Sequence, residues 1–137
     1  MFQKVELIGH LTRNPEMSYL PSGVAVTNFS IATNEKWSNG DGELQERVTW
    51  WRITCWRRMA ETTNQYLSKG RQVFVEGRMT ADPETGGPRV YSRNNGEPGA
   101  SFEVTAFTVK FLGGRNGNGA ATEELSNEVV LTEDLPF

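Results

Sequence analysis

The chain has 137 residues, 36% of them hydrophobic, and 14 Lys and Arg against 17 Asp and Glu give a net charge of −3; that length fits one domain with a core of its own and a modest tail. A single cysteine, Cys55, excludes an intrachain disulfide and any zinc or CxxC redox site built from thiols. The charge is unevenly spread: all 14 basic residues and 12 of the 17 acidic ones fall in residues 1–115, a balance of +2, while residues 116–137 hold the other five acids and no base. A mildly basic body with an acidic tail suits polyanions better than the total charge suggests.

The start, "MFQKVELIGHL", has no long apolar run and no cleavage-site pattern, and no later stretch reaches the length of a transmembrane helix. A soluble, unprocessed cytoplasmic chain with no membrane partner is expected. "KVELIGHL" reads as the first strand, and "VAVTNFSIATNEKW" as a second one long enough to bend or cross a sheet. "WSNGDGELQ", with Asn39-Gly40 and Asp41-Gly42, reads as the hairpin turn into a third.

That third strand contains "TWWRITCWRR", residues 49 to 58, and β-branched and aromatic residues dominate it. Alternate side chains of a strand point to opposite faces. Trp50, Arg52, Thr54 and Trp56 therefore share one face, while Trp51, Ile53 and Cys55 share the other. The second face is apolar and belongs in a core. The first is aromatic and cationic, which fits either a cation–π packing cluster under another element or a platform on which bases stack beside a phosphate-binding Arg52.

In "RMAETTNQYLSKG" Met59, Thr63, Tyr66 and Leu67 fall at helical spacing, which predicts a helix with Lys69 in its last turn and Gly70 just past its end. Strands over "RQVFVEGRM" and "ASFEVTAFTVKFL" complete the order β-β-β-α-β-β. The expected fold is all-β with one helix, a five-stranded OB-type barrel whose helix plugs one end.

The 80–99 connection, "TADPETGGPRVYSRNNGEPG", is long for a compact domain, and such loops tend to carry function. Its "RVYSR" segment sets Arg89, Tyr91 and Arg93 on one side of a short extended stretch. A disordered surface excursion is the competing reading. "GGRNGNGAA" lacks core periodicity, so the domain is expected to span residues 1–113, with a flexible linker over 114–132 and a tip at 133–137.

His10 is the only histidine, the carboxylates are scattered, and no nucleophile stands beside a base. No enzyme activity, cofactor or metal is expected.

Four spaced motifs resemble the bacterial-type single-stranded DNA-binding proteins: "GHLTRNPEMSYLPSGVAVTNFSIATNEKW", "WWRITCWRRMAE", "YLSKGRQVFVEGRM" and the terminal "EDLPF". The resemblance implies sequence-independent binding of single-stranded DNA in replication, repair and recombination. It implies base stacking by Trp37, Trp50 and Trp56, phosphate contacts from Arg52, Arg58 and Lys69, and a homotetramer with Trp51 in a core or subunit contact. The family's loop tryptophan is missing, and Tyr91 stands as its substitute between Arg89 and Arg93. The tip Glu133, Asp134, Leu135, Pro136 and Phe137 is similar to the ending by which the family recruits replication, repair and recombination enzymes. An OB-fold RNA-binding protein and a non-catalytic oligomeric adaptor are the rival readings.

Overall fold

The computed structural model describes residues 1–113 and the backbone of 130–132; the rest of the expected linker and the tip Glu133–Phe137 lie outside the described residues. Strands β1 (Val5–Leu11), β3 (Ala25–Ser38), β4 (Leu44–Trp56), β5 (Gln72–Met79) and β8 (Phe102–Leu112) pair in the order β1-β5-β8-β4-β3. Pairing of His10 with Ala32 and Leu11 with Ile31 returns β3 to β1 and closes the barrel. With α1 (Arg57–Tyr66), the one helix among the described residues, between β4 and β5, this is the expected five-stranded OB fold.

Period-two alternation builds the core. Phe29 and Ile31 of β3, Ile53 and Cys55 of β4, Val73 and Val75 of β5, and Val104, Ala106, Val109 and Phe111 of β8 point inward and are buried. The parity of β8 changes between Ala106 and Val109 because a bulge shifts its register with β5 between Glu76 and Gly77. An added Cβ on Gly77 would run into the Thr105 carbonyl oxygen and lie 2.9 Å from the Ala106 Cα, so the two backbones meet at a distance only glycine allows.

The helix closes one end of this core with Met59, Ala60 and Thr63. The Thr27 hydroxyl of β3 donates to the Ala60 carbonyl at 2.6 Å, which ties helix to barrel through a fully buried hydrogen bond. The helix is shorter than its apolar spacing predicts. It ends at Tyr66, Leu67 is already extended, and Lys69 and Gly70 lie beyond it. Gly70, at φ 89°, instead forms the turn into β5, and its N–H donates to the Leu11 carbonyl at 2.9 Å. Competition for backbone partners explains the early stop: the loop reaches β1 only if the helix has ended.

The β3–β4 ribbon turns at Asn39, whose side-chain oxygen accepts the N–H groups of Asp41 and Glu43, both at 2.9 Å. Its outer half is exposed and projects from the barrel. Four shorter strands were not expected. β2 (Glu16–Tyr19) flanks β3, β6 (Val90–Ser92) and β7 (Pro98–Ala100) form a hairpin that takes up the end of the 80–99 connection and Ala100, expected to open the last strand, and β9 (Val130–Thr132) pairs with Thr108–Lys110 of β8. The long connection is thus an ordered hairpin between β5 and β8, and β9 falls inside the stretch expected to be a linker.

Candidate nucleic-acid interface

The split of the tryptophans follows the alternation of β4. Ile53 and Cys55 are fully buried, whereas Arg52 is exposed and Trp50 keeps 59% of its surface. Trp51 turns the other way and packs at the rim of the core. Its ring lies 5.0 Å from that of Phe102, its register partner on β8, and its Nε1–H donates to Thr33 Oγ1 at 3.0 Å.

Above the β4 outer face the β6–β7 hairpin closes an open cleft of about 450 Å³. Trp50, Arg52, Arg89 and Tyr91 line it, as do Ser30, Trp51, Ser101 and Glu103. Two segments nearly forty residues apart in sequence therefore bring their rings and cations to one place. Tyr91 pairs with Gly99 across the hairpin, and a Cβ there would meet Arg93 Nε at 2.5 Å and Tyr91 Cε2 at 3.0 Å. Glycine at that position lets both side chains lie flat over the partner strand. Arg93 thus neighbours Tyr91, as the alternation of "RVYSR" implies, while Arg89 reaches toward Glu103.

Glu103, which the sequence does not single out, stands in the floor of the cleft. It pairs with Arg52 across β4 and β8 and is only 8% exposed. Arg89 Nη1 approaches its Oε1 at 3.8 Å and the Ser101 hydroxyl donates to its Oε2 at 3.1 Å. A nearly buried carboxylate needs such partners. Its effect is to hold Arg89 against the cleft wall at the cost of a negative charge in the floor.

The other expected residues are more dispersed. Trp56, half-buried, ends β4 on the same face as Trp50, six residues and roughly 20 Å along the strand. Arg58, exposed, follows at the start of α1, just after Arg57, which takes a left-handed φ of 57° at the strand-to-helix corner. The Lys69 N–H donates to Asn14 Oδ1 at 2.9 Å, which places this lysine beside the loop after β1. Trp37 does not join the cleft. It shares the parity of Phe29 and Ile31, so it lies on the opposite face of the projecting ribbon from Trp50, with the Arg47 guanidinium 5.0 Å from its ring centroid.

In OB folds the outer face of the second and third barrel strands, with the loops after the first and fourth, takes up oligonucleotides and oligosaccharides. The cleft occupies that face, and its ring-and-cation lining defines a member of the oligonucleotide-binding class. Residues 2–112 match the model of the Single-strand binding protein family, and the chain belongs to that family. Single-stranded DNA-binding proteins of Neisseria meningitidis serogroups A and B are each 44% identical over 123 residues, which is 88% of this chain and 67% of theirs. Single-stranded DNA-binding protein 1 of Chlorobaculum tepidum is 37% identical, covering 88% of this chain and 70% of that one. Among solved structures, a Plasmodium falciparum SSB in complex with ssDNA superposes with a TM-score of 0.63 at 30% identity, over 77% of this chain and 86% of that one. A deletion mutant of the single-stranded DNA-binding protein from Thermus aquaticus gives 0.65 at 31% identity, over 82% of this chain and 51% of that one.

Proposed function

We propose that this protein binds single-stranded DNA without regard to sequence and covers it during replication, repair and recombination. The observation that carries the reading is the cleft in which Trp50 and Tyr91 stand with Arg52 and Arg89. A single strand exposes bases and phosphates together, and flat rings next to cations engage both. Duplex DNA hides the faces of its bases, so selectivity for single strands needs no hydrogen bonding to base edges. Trp56 and Arg58 extend the surface along β4, Arg93 and Lys69 add cations at its margins, and Trp37 with Arg47 forms a separate ring-and-cation contact on the other face of the ribbon. Membership of the family and the Plasmodium falciparum complex support the same reading.

The protein acts by binding, without catalysis, as a homotetramer in the bacterial cytoplasm or, for a viral chain, that of its host. The Glu133–Phe137 tip serves replication, repair and recombination enzymes: two apolar side chains, a proline and acidic groups suit a small greasy pocket rimmed by basic residues. The reading is tested by fluorescence anisotropy with labelled oligothymidine, a duplex of equal length and an RNA of matched sequence. Tight binding of the DNA single strand, weaker binding of the RNA and the weakest binding of the duplex are expected. Preference for RNA, or for neither single strand over duplex, would refute it.

A further inference from the structure

Beside the cleft, on the far side of Arg52, lies a second and smaller depression of about 90 Å³, bordered by Arg13, Asn14, Glu16, Asn28, Phe29, Ser30 and Arg52. Its volume is about a fifth of the cleft's. Ser30 and Arg52 border both spaces, so the two adjoin across a single strand pair.

The polar groups of the depression are arranged as donors. Asn14 Oδ1 is occupied by the Lys69 N–H at 2.9 Å, which fixes the amide orientation and leaves its Nδ2 hydrogens free of any partner among the described residues. Asn28 Oδ1 accepts the Thr54 hydroxyl at 2.9 Å, so its Nδ2 is likewise a donor. Arg13 and Arg52 form no ion pair with a described residue, and both are exposed. Of the carboxylates, Glu16 borders the depression, exposed at its rim, and Glu103 lies across the strand pair from Arg52 on the cleft side. Two guanidiniums and two amide NH2 groups bordering one small depression are donors from which the oxygens of a phosphate can accept.

We infer that this depression is a phosphate subsite of the nucleic-acid path, in which Arg13 and Arg52 together hold the backbone phosphate next to the base seated in the Trp50–Tyr91 cleft. The inference rests on the single-stranded DNA reading and extends it to the loop after β1. Arg52 then serves both spaces, and the strand passes from the cleft over β3 toward Asn14 and Lys69.

The test is the salt dependence of oligothymidine binding by the full chain, with Arg13→Gln, Arg13→Lys and Lys110→Gln compared. Each phosphate neutralised on a single strand contributes about 0.7 to the slope of log K against log salt. Arg13→Gln is expected to lower the slope by about 0.7, Arg13→Lys to retain it, and Lys110→Gln, a like charge change at the far end of β8, to leave it unaltered. A slope unchanged in Arg13→Gln, not restored by lysine, or equally reduced by Lys110→Gln would overturn the subsite while leaving the binding reading intact. Failure of the unsubstituted chain to bind would overturn both.

Discussion

Trp50 and Trp51 are adjacent in sequence and face opposite ways, so truncating each one separates binding from stability. Trp50 is 59% exposed and has no hydrogen-bond or ring partner among the described residues. Trp50→Ala should shift stability by no more than about 0.5 kcal/mol, the usual range for a surface change. A lost base–ring stack costs about 1–3 kcal/mol, which is roughly 5- to 150-fold in affinity. Trp51→Ala loses a tilted ring pair with Phe102, worth about 0.5–1.5 kcal/mol. It also loses the hydrogen bond to Thr33, about 0.5–1.5 kcal/mol, and part of its burial against the core. About 2–4 kcal/mol of stability should go with it. Urea unfolding followed by circular dichroism at matched chain concentration measures stability, and anisotropy with labelled oligothymidine measures affinity. Equal destabilisation by the two substitutions, with unchanged affinity in Trp50→Ala, would refute the division of the faces.

Further predictions concern the barrel and its charges. Gly77→Ala forces a side chain into the β8 backbone at the bulge and should destabilise by about 1–3 kcal/mol or more, read from the same urea curves. Glu103→Gln removes the negative charge from the cleft floor while the amide oxygen still accepts from Ser101. Oligothymidine affinity should rise several-fold at low salt, on the order of the smaller charge–charge effects, and the gain should fade at high salt; a loss of affinity would show that holding Arg89 matters more than repulsion. The Lys4 ammonium, 2.6 Å from Glu76, holds that carboxyl below the usual carboxylate range by hydrogen bonding. Glu76 therefore stabilises the fold above the ordinary carboxylate pKa, and this contribution is lost as pH falls through its lowered folded value. In Lys4→Met the Glu76 titration followed by carboxyl NMR should move up, and the acid-induced loss of stability should shrink; an unmoved midpoint would contradict the pairing.

The barrel was legible because its five main strands carry β-branched and aromatic residues at period two, a signal that survives in every packed sheet. For the same reason the faces of Trp50, Arg52, Trp56 and Trp51 could be assigned from spacing alone. The short strands could not. β2 is "EMSY", mostly exposed, and it is a strand only because β3 offers it an edge. β6 and β7 are three residues each and depend on their mutual pairing, and β9 on the edge of β8. The helix end escaped because Leu67 is buried just as a helical residue would be, although its backbone is extended. Within the cleft, Glu103 lies in a strand whose other residues announce core, and nothing local reveals that it faces Arg89. Arg13 sits in a loop without periodicity, and only the closure of β1 onto β3 brings it to Arg52. Tertiary proximity of this kind has no local sequence signature.

Photocrosslinking reads directly which rings meet the bases. Oligothymidine carrying 5-iododeoxyuridine at successive positions would be bound to the full chain, irradiated, and the attached residues mapped by mass spectrometry. Crosslinks concentrated on Trp50, Tyr91 and Trp56 are the predicted result. Crosslinks confined to exposed rings outside the cleft, such as Phe2 and Tyr19, or equal yields with duplex DNA, would contradict the cleft as the binding surface.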